Sequence, residues 1–150
     1  MKQLIKHLVT KHKFAKYAQV GKNCNVFLKS TMEGKNKIGD NTFFNGYLGR
    51  FSYIGSNSSI SGKVGRFSSI AGNVSVPLGP HPISEPFVSI HPIFYSNLGH
   101  IDGECWVKDQ MFNEFRYAED SYPVVIGNDP KIHSFLASCC SPIPGDKIVG

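Results

Sequence analysis

The sequence predicts an all-β fold, a parallel β-helix in which short strands wind around a flat-sided prism. Two periodicities indicate it. The segment 48–59, LGRFSYIGSNSS, is followed sixteen residues later by the segment 64–75, VGRFSSIAGNVS, and seven of the twelve aligned positions are identical. A shorter period of six residues separates large apolar positions. Six is a multiple of the strand period of two and does not match the helical period of 3.6.

The period of six runs from residue 20 to residue 76. Its apolar positions are Val20, Val26, Met32, Ile38, Phe44, Leu48, Ile54, Ile60, Val64, Ile70 and Val76. Two steps are only four residues long, Phe44 to Leu48 and Ile60 to Val64, and we interpret them as shortened corners. We expect these side chains to fill the interior of stacked coils, whose strands pair in parallel with the coils above and below.

Two further residue types recur with the same period. Gly often follows the apolar position, and a small or polar residue often stands four places after it. We expect the small residue to point inward at a corner, where there is little room, and Gly to permit the tight bend. A meander of irregular hairpins is the alternative, which the twelve-residue repeat disfavours.

Length and composition fit one domain. The chain has 150 residues with 15 Gly and 9 Pro, which argues against a helical bundle, and no run of eighteen apolar residues. We divide it into a basic helical lead-in at 1–17, coils at 18–76, a loop excursion at 77–123 and incomplete or irregular coils at 124–150.

The N-terminal segment is strongly basic. Residues 1–37 contain nine Lys and one Glu, a net charge of +8, whereas residues 38–150 carry a net charge of −3. Lysines surround an apolar stripe formed by Leu4, Ile5, Leu8 and Val9, as in a short amphipathic helix. We favour a solvated helix packed on the domain over one that makes weak contact with a membrane surface.

Other features exclude several chemistries. Cys24, Cys105 and the adjacent pair Cys139 and Cys140 lack metal-ligand spacing, and the chain contains no Walker loop, HExxH or GxSxG motif. Free thiols and the absence of a signal-peptide pattern favour a cytoplasmic protein. No metal site is expected.

The excursion is the expected place of the functional site. It contains six of the nine Pro and eight of the eighteen aromatic residues, and a loop of this length in a compact domain is usually functional. Within it, residues 103–119 place Trp106, Met111, Phe112 and Phe115 at near-helical spacing. We expect a short helix there, with Asp109, Glu114 and Glu119 on its solvated face.

Four blocks carry a resemblance to a known family. They are VGRFSSI at 64–70, GPHP at 79–82, VSIHPIFYS at 88–96 and YPVVIGND at 122–129. The chain resembles the hexapeptide-repeat acyltransferases, in the xenobiotic and sugar O-acetyltransferase branch that includes streptogramin and type B chloramphenicol acetyltransferases. The resemblance implies a left-handed β-helix, a homotrimer, and acetyl-CoA as co-substrate bound between subunits. It identifies no coenzyme-binding residue here.

The resemblance also assigns candidate site residues. His81 matches the family's catalytic histidine, which would take a proton from the acceptor hydroxyl as general base, although Pro80 stands where the family has Asn. His91 and Tyr95 lie on a proline-stiffened aromatic segment. For His91 we favour packing, with contact to a small-molecule or saccharide acceptor as the alternative, and Tyr95 is a second candidate for that contact.

The resemblance ends after Asp129. Residues 130–144 lose the period of six, and a family-like GDKIVG follows at 145–150. Either a recovered frameshift or true divergence explains this, and we expect the segment to be irregular. The chain is therefore expected to be an O-acetyltransferase acting on a sugar hydroxyl of a surface polysaccharide or on a xenobiotic. The alternative is a non-catalytic β-helical trimer that retains sugar binding. A module binding nucleic acid or a membrane is less favoured, because no recognition motif accompanies the lysines.

Overall fold

The computed structural model describes residues 9–76, 79–115, 117–132 and the strand at 147–148. One short helix, α1 at 9–14, precedes the strands. The strands are β1 (Ala18–Val20), β2 (Asn25–Val26), β3 (Thr31–Met32), β4 (Asn36–Ile38), β5 (Phe43–Leu48), β6 (Tyr53–Ile54), β7 (Ser59–Val64), β8 (Ser69–Ile70), β9 (Val125–Ile126), β10 (Lys131–Ile132) and β11 (Lys147–Ile148).

The strands form a parallel β-solenoid of about three turns. Face 1 contains β1, β4, β6, β8 and β10 in that order, and every neighbouring pair is parallel. Face 2 consists of β2 and the first halves of β5 and β7, which pair in parallel in that order. Their second halves, with β3, β9 and β11, form face 3. The all-β solenoid predicted from the period of six is confirmed.

The apolar positions form the core as predicted. Their side chains are buried from Val26 through Val76, and Ile126 extends the column past the excursion. Val20 is half-buried in the first coil and packs against the same cluster. Because each side chain packs on its equivalents one coil above and below, stability is built from nearest-neighbour interfaces.

The small polar residues also point inward, as expected. Ser52 is buried, donates a hydrogen bond from Oγ to the carbonyl of Gly65 at 2.7 Å and accepts one from the amide of Ser68 at 2.9 Å. Thr42 donates in the same way to the carbonyl of Gly55 at 3.1 Å. A short hydroxyl therefore provides hydrogen bonds to backbone groups of the neighbouring coil inside the prism.

The expectation that Gly makes the bends is wrong for the glycines that follow apolar positions. A Cβ on Gly39 would lie 2.5 Å from the amide nitrogen of Ser56, so these glycines allow close approach between coils. The left-handed corners are occupied by other residues, among them Asn41 (φ 54°), Asn57 (φ 58°) and Phe51 (φ 62°). Asn tolerates this conformation, whereas for a bulky Phe it is a true outlier.

The shortened corners separate faces 2 and 3. Gly46 (φ 145°) and Gly62 (φ 151°) lie in the middle of β5 and β7, and a Cβ on Gly46 would lie 1.9 Å from the carbonyl oxygen of Gly62. In the next coil the excursion replaces this corner, because it connects Val76 on face 2 to β9 on face 3. The excursion is thus an insertion at one corner of an otherwise regular prism.

The chain returns to the solenoid after the excursion. β10 pairs with β8, and the carbonyl of Pro130 accepts a hydrogen bond from the amide of Ser69 at 3.0 Å. The predicted irregularity is therefore wrong for residues 130–132, because Pro130 occupies a buried corner position that needs no donor. Residues 133–146 lie outside the described residues.

The N-terminal helix packs on the first coil. Thr10 and Phe14 are buried, and Lys13 donates a hydrogen bond to the carbonyl of Leu28. The burial of Thr10 and Phe14 agrees with the favoured packed helix, but Val9 of the predicted apolar stripe is exposed. The other members of that stripe, Leu4, Ile5 and Leu8, lie outside the described residues. In the described part of the chain, no helix has the length and apolarity needed to cross a membrane.

Candidate functional site

The candidate site is centred on His81, five residues after the chain leaves face 2. The His81 side chain is exposed, and its Nδ1 lies 2.8 Å from the hydroxyl oxygen of Tyr95. The two rings meet edge to face, with their centroids 6.4 Å apart. Among the described residues no other side chain hydrogen-bonds the imidazole, so Nε2 remains open to an incoming group.

Tyr95 is a buried member of the excursion's small core. It is 1% exposed, and Phe87 and Phe112 pack edge to face on its ring. Burial, with the negative charge of Glu114 as a second cause, raises the pKa of the Tyr95 hydroxyl above its ordinary value. Tyr95 therefore stays neutral and presents a fixed hydroxyl to His81. The structure brings these two sequence-predicted residues together.

Glu114 lies close to this core and was not recognised as important from the sequence. Burial alone would raise the pKa of its carboxyl, but hydrogen bonds from Ser96, Gln110 and His100 outweigh that effect and hold it below the ordinary value. The His100 Nε2 lies 2.6 Å from the Glu114 carboxylate. The expectation that Glu114 belongs to a solvated helix face is wrong.

His91 is not next to His81 in the hydrogen-bond network. Its Nδ1 accepts a hydrogen bond from the amide of Ile93 at 3.4 Å and caps a short 3-10 helix at Pro92–Phe94. Its ring lies 6.2 Å from that of Phe94. This placement is consistent with the favoured packing role, while the exposed ring also leaves acceptor contact open as a prediction.

The aromatic residues of segment 103–119 do not form the predicted helix. The described residues of this segment adopt turns and bends. The amide of Met111 donates a hydrogen bond to the carbonyl of Tyr95, and the amide of Trp106 donates one to the carbonyl of Ile93. Phe112 packs inward, whereas Trp106 is 69% exposed with its ring 5.4 Å from Phe94. The near-helical spacing did not predict this structure, because contacts with residues 87–95, which are distant in the sequence, determine the positions of these side chains.

An ion pair ties the excursion to the solenoid. The Lys63 ammonium on β7 lies 2.5 Å from the carboxylate of Glu119. The hydrogen bond to Glu119 raises the pKa of Lys63. The pair fixes the end of the excursion beside the corner from which it departs.

No group of three or more His, Cys, Asp or Glu that could hold a metal ion occurs in the described ranges. The two cysteines within them, Cys24 and Cys105, are free thiols. Comparison of the chain with protein-family models, curated proteins and solved structures gave no match. What the arrangement offers chemically is an exposed imidazole, fixed on one side by a buried phenol.

Proposed function

We propose that the chain is an O-acetyltransferase that uses acetyl-CoA and acts on a sugar hydroxyl of a surface polysaccharide or on a xenobiotic hydroxyl. The observation that carries this proposal is the 2.8 Å contact between His81 Nδ1 and the Tyr95 hydroxyl. It leaves Nε2 of an exposed imidazole available at the entrance of the excursion. The family resemblance of the surrounding residues supplies the reaction class.

His81 is proposed as the general base. A hydroxyl attacks a thioester effectively only when its proton is removed as the new bond forms. Nε2 takes the proton while the acceptor oxygen bonds to the acetyl carbonyl carbon. Collapse of the tetrahedral intermediate breaks the carbon–sulfur bond, and the proton returns to the leaving thiolate. For this, Nδ1 must carry the ring hydrogen and donate it to the Tyr95 oxygen.

Tyr95 and His91 then have different roles. Because Tyr95 is buried against His81, we assign it to positioning the imidazole instead of contacting the acceptor. His91, with Phe94 and Trp106, offers an exposed aromatic surface on which a sugar ring can pack. Acceptor contact is therefore proposed for His91.

The proposal includes a left-handed solenoid, a homotrimer and a cytoplasmic location. Support for the trimer comes from apolar side chains that the excursion presents to solvent, including Val88 (95% exposed), Trp106 and Phe115. A neighbouring subunit would cover them. A stable monomer at micromolar concentration in analytical ultracentrifugation would contradict this part.

A direct test measures binding and transfer separately. Calorimetry with acetyl-CoA, followed by thiol release in the presence of sugar and xenobiotic acceptors, should show binding and acceptor-dependent turnover. Turnover should fall by roughly 10² to 10⁴ in His81→Ala, whereas acetyl-CoA binding should persist. Binding of a sugar without any acetyl transfer would favour the non-catalytic alternative, and failure to bind acetyl-CoA would overturn the proposal.

A further inference from the structure

Outward-facing side chains on face 1 form two columns parallel to the solenoid axis. The strand register aligns Gln19, Lys37, Tyr53, Ser69 and Lys131 in one column. The corner beside it aligns Lys35, Phe51, Phe67 and Asp129, all in the left-handed conformation. We call these two columns the face-1 strip. With parallel strands about 4.8 Å apart, the five strands of face 1 extend for roughly 19 Å.

The first part of the strip lines an open groove of about 580 Å³. Lys16, Lys35 and Lys37 contribute to its lining, and no Asp or Glu does. The ammonium groups of these three lysines have no ion-pair or hydrogen-bond partner among the described residues. An anionic ligand would therefore gain attraction here without displacing an existing partner.

Exposed aromatic rings accompany these charges. Phe51 is 52% exposed and Phe67 55% exposed, and their rings stack 5.5 Å apart at 15°. Tyr53 and Tyr17 are also about half-exposed, and both line the groove. A bulky residue at a left-handed corner is strained, yet two successive coils place Phe there. Asn, which tolerates the conformation, stands at the left-handed positions Asn41 and Asn57 of the corner between faces 1 and 2.

We propose that the face-1 strip binds an acidic polysaccharide. Sugar rings present apolar faces that pack on aromatic side chains, and hydroxyl groups would bond to Gln19, Ser69 and the Tyr53 hydroxyl. The positive charge of the strip lies at its first coils, at Lys35 and Lys37, whereas Lys131 at the other end has the acidic Asp129 in the neighbouring column. A charge confined to one end suits a polymer with a carboxylate on only some of its sugar units.

The same features fit single-stranded nucleic acid less well. That polymer carries a phosphate on every nucleotide and stacks its bases on free aromatic faces. Here the charges are sparse, and Phe51 and Phe67 already cover one face of each other. The strip therefore matches a hydroxyl-rich, sparsely charged chain.

The strip is separate from the candidate active site. The excursion leaves from the corner between faces 2 and 3, which lies across the prism from face 1. No residue of the excursion lines the groove. Polysaccharide binding at the strip is thus independent of His81, and it can be measured without acetyl transfer.

The test uses the full chain and labelled hyaluronate, a polymer that alternates an acidic and a neutral sugar, in fluorescence anisotropy. Lys35→Gln/Lys37→Gln should weaken binding about tenfold. The matched control Lys22→Gln/Lys29→Gln removes the same charge from exposed positions off the strip and should change binding less than about twofold. Phe51→Asn keeps a residue suited to the left-handed corner, so it should fold and yet bind more weakly.

Four outcomes would overturn the proposal. Equal weakening by the two double variants would show only a net-charge effect. Tighter binding of poly-uridylate RNA than of hyaluronate, or equal binding of neutral dextran, would assign the strip to another ligand. A change of oligomeric state in Lys35→Gln/Lys37→Gln or Phe51→Asn would show that a second copy covers the strip.

Discussion

The Nδ1 atom of His81 lies 2.8 Å from the hydroxyl of Tyr95, a residue with only 1% of its surface exposed. The contact joins the first segment of the excursion to the aromatic core that Phe87 and Phe112 build around Tyr95. The exposed imidazole of His81 is thereby held by the buried, neutral phenol of Tyr95. Substituting His81 and Tyr95 one at a time can therefore distinguish the role of each residue.

The first prediction concerns His81 as the proposed general base. His81→Ala should lower turnover by roughly 10² to 10⁴ while acetyl-CoA affinity stays nearly unchanged, because a general base acts on the acceptor proton. Steady-state kinetics with calorimetry of acetyl-CoA binding measures both. His91→Ala is the matched control and should raise mainly the acceptor KM. An active His81→Ala enzyme beside an inactive His91→Ala enzyme would reverse the assignment.

The second prediction concerns Tyr95 as a positioning residue. Tyr95→Phe keeps the buried ring and removes only the hydroxyl, so we expect the fold to persist and kcat to fall about tenfold with little change in KM. The pH profile of kcat should also shift, because the hydroxyl is the partner of the imidazole. An unchanged pH profile with a lowered melting temperature would indicate a purely structural role.

Much of the solenoid could be predicted from the sequence, because the same strand register recurs from coil to coil. One apolar residue every six positions fixes the inside of each coil, and Ile38, Ile54 and Ile70 align in neighbouring strands as that spacing requires. The corners were harder to predict. Gly39 has its role only through Ser56 on the next coil, which is not visible in a local pattern.

The candidate site was less predictable, because its contacts also join residues that are distant in the sequence. Position in a motif identified His81 and Tyr95, but nothing in the sequence placed Tyr95 inside and against His81. Glu114 looked like a surface carboxylate because its partners, Ser96 and His100, are 18 and 14 residues away in the sequence. Residues of an irregular loop have no period from which burial can be read.

The third prediction tests the core of the prism. Ile54→Asp should abolish cooperative folding, since it places an unpaired charge where Ile54 is 1% exposed. Tyr53→Asp is the matched control, because the adjacent side chain points outward on the same strand. Thermal unfolding followed by circular dichroism compares them. A soluble Ile54→Asp protein with a cooperative transition would contradict the described core.

The fourth prediction concerns the corner between faces 2 and 3. Gly46→Ala should destabilise the fold by about 2–4 kcal/mol, because a Cβ would overlap the carbonyl of Gly62 in a conformation that only Gly adopts readily. Gly34→Ala is the control, since Gly34 also has a positive φ but open space around it. Chemical denaturation should show a clearly smaller loss for Gly34→Ala. Equal losses would mean that backbone strain alone matters at this corner.

The last prediction follows from the Glu114 carboxyl. Hydrogen bonds from Ser96, Gln110 and His100 lower its pKa in the folded protein despite burial, so the ionised form is favoured by folding. Its contribution to stability is therefore fully present above the ordinary pKa of about 4.5 and is lost as the pH falls through the lower value of the folded state. Its ionised form should thus stabilise the excursion at neutral pH.

Glu114→Gln removes the charge and should lower the melting temperature at pH 7. The difference in melting temperature between wild type and variant should shrink as the pH is lowered below about 4.5. A difference that stays constant down to the acid limit of folding would show that Glu114 stabilises the excursion through packing and not through its charge.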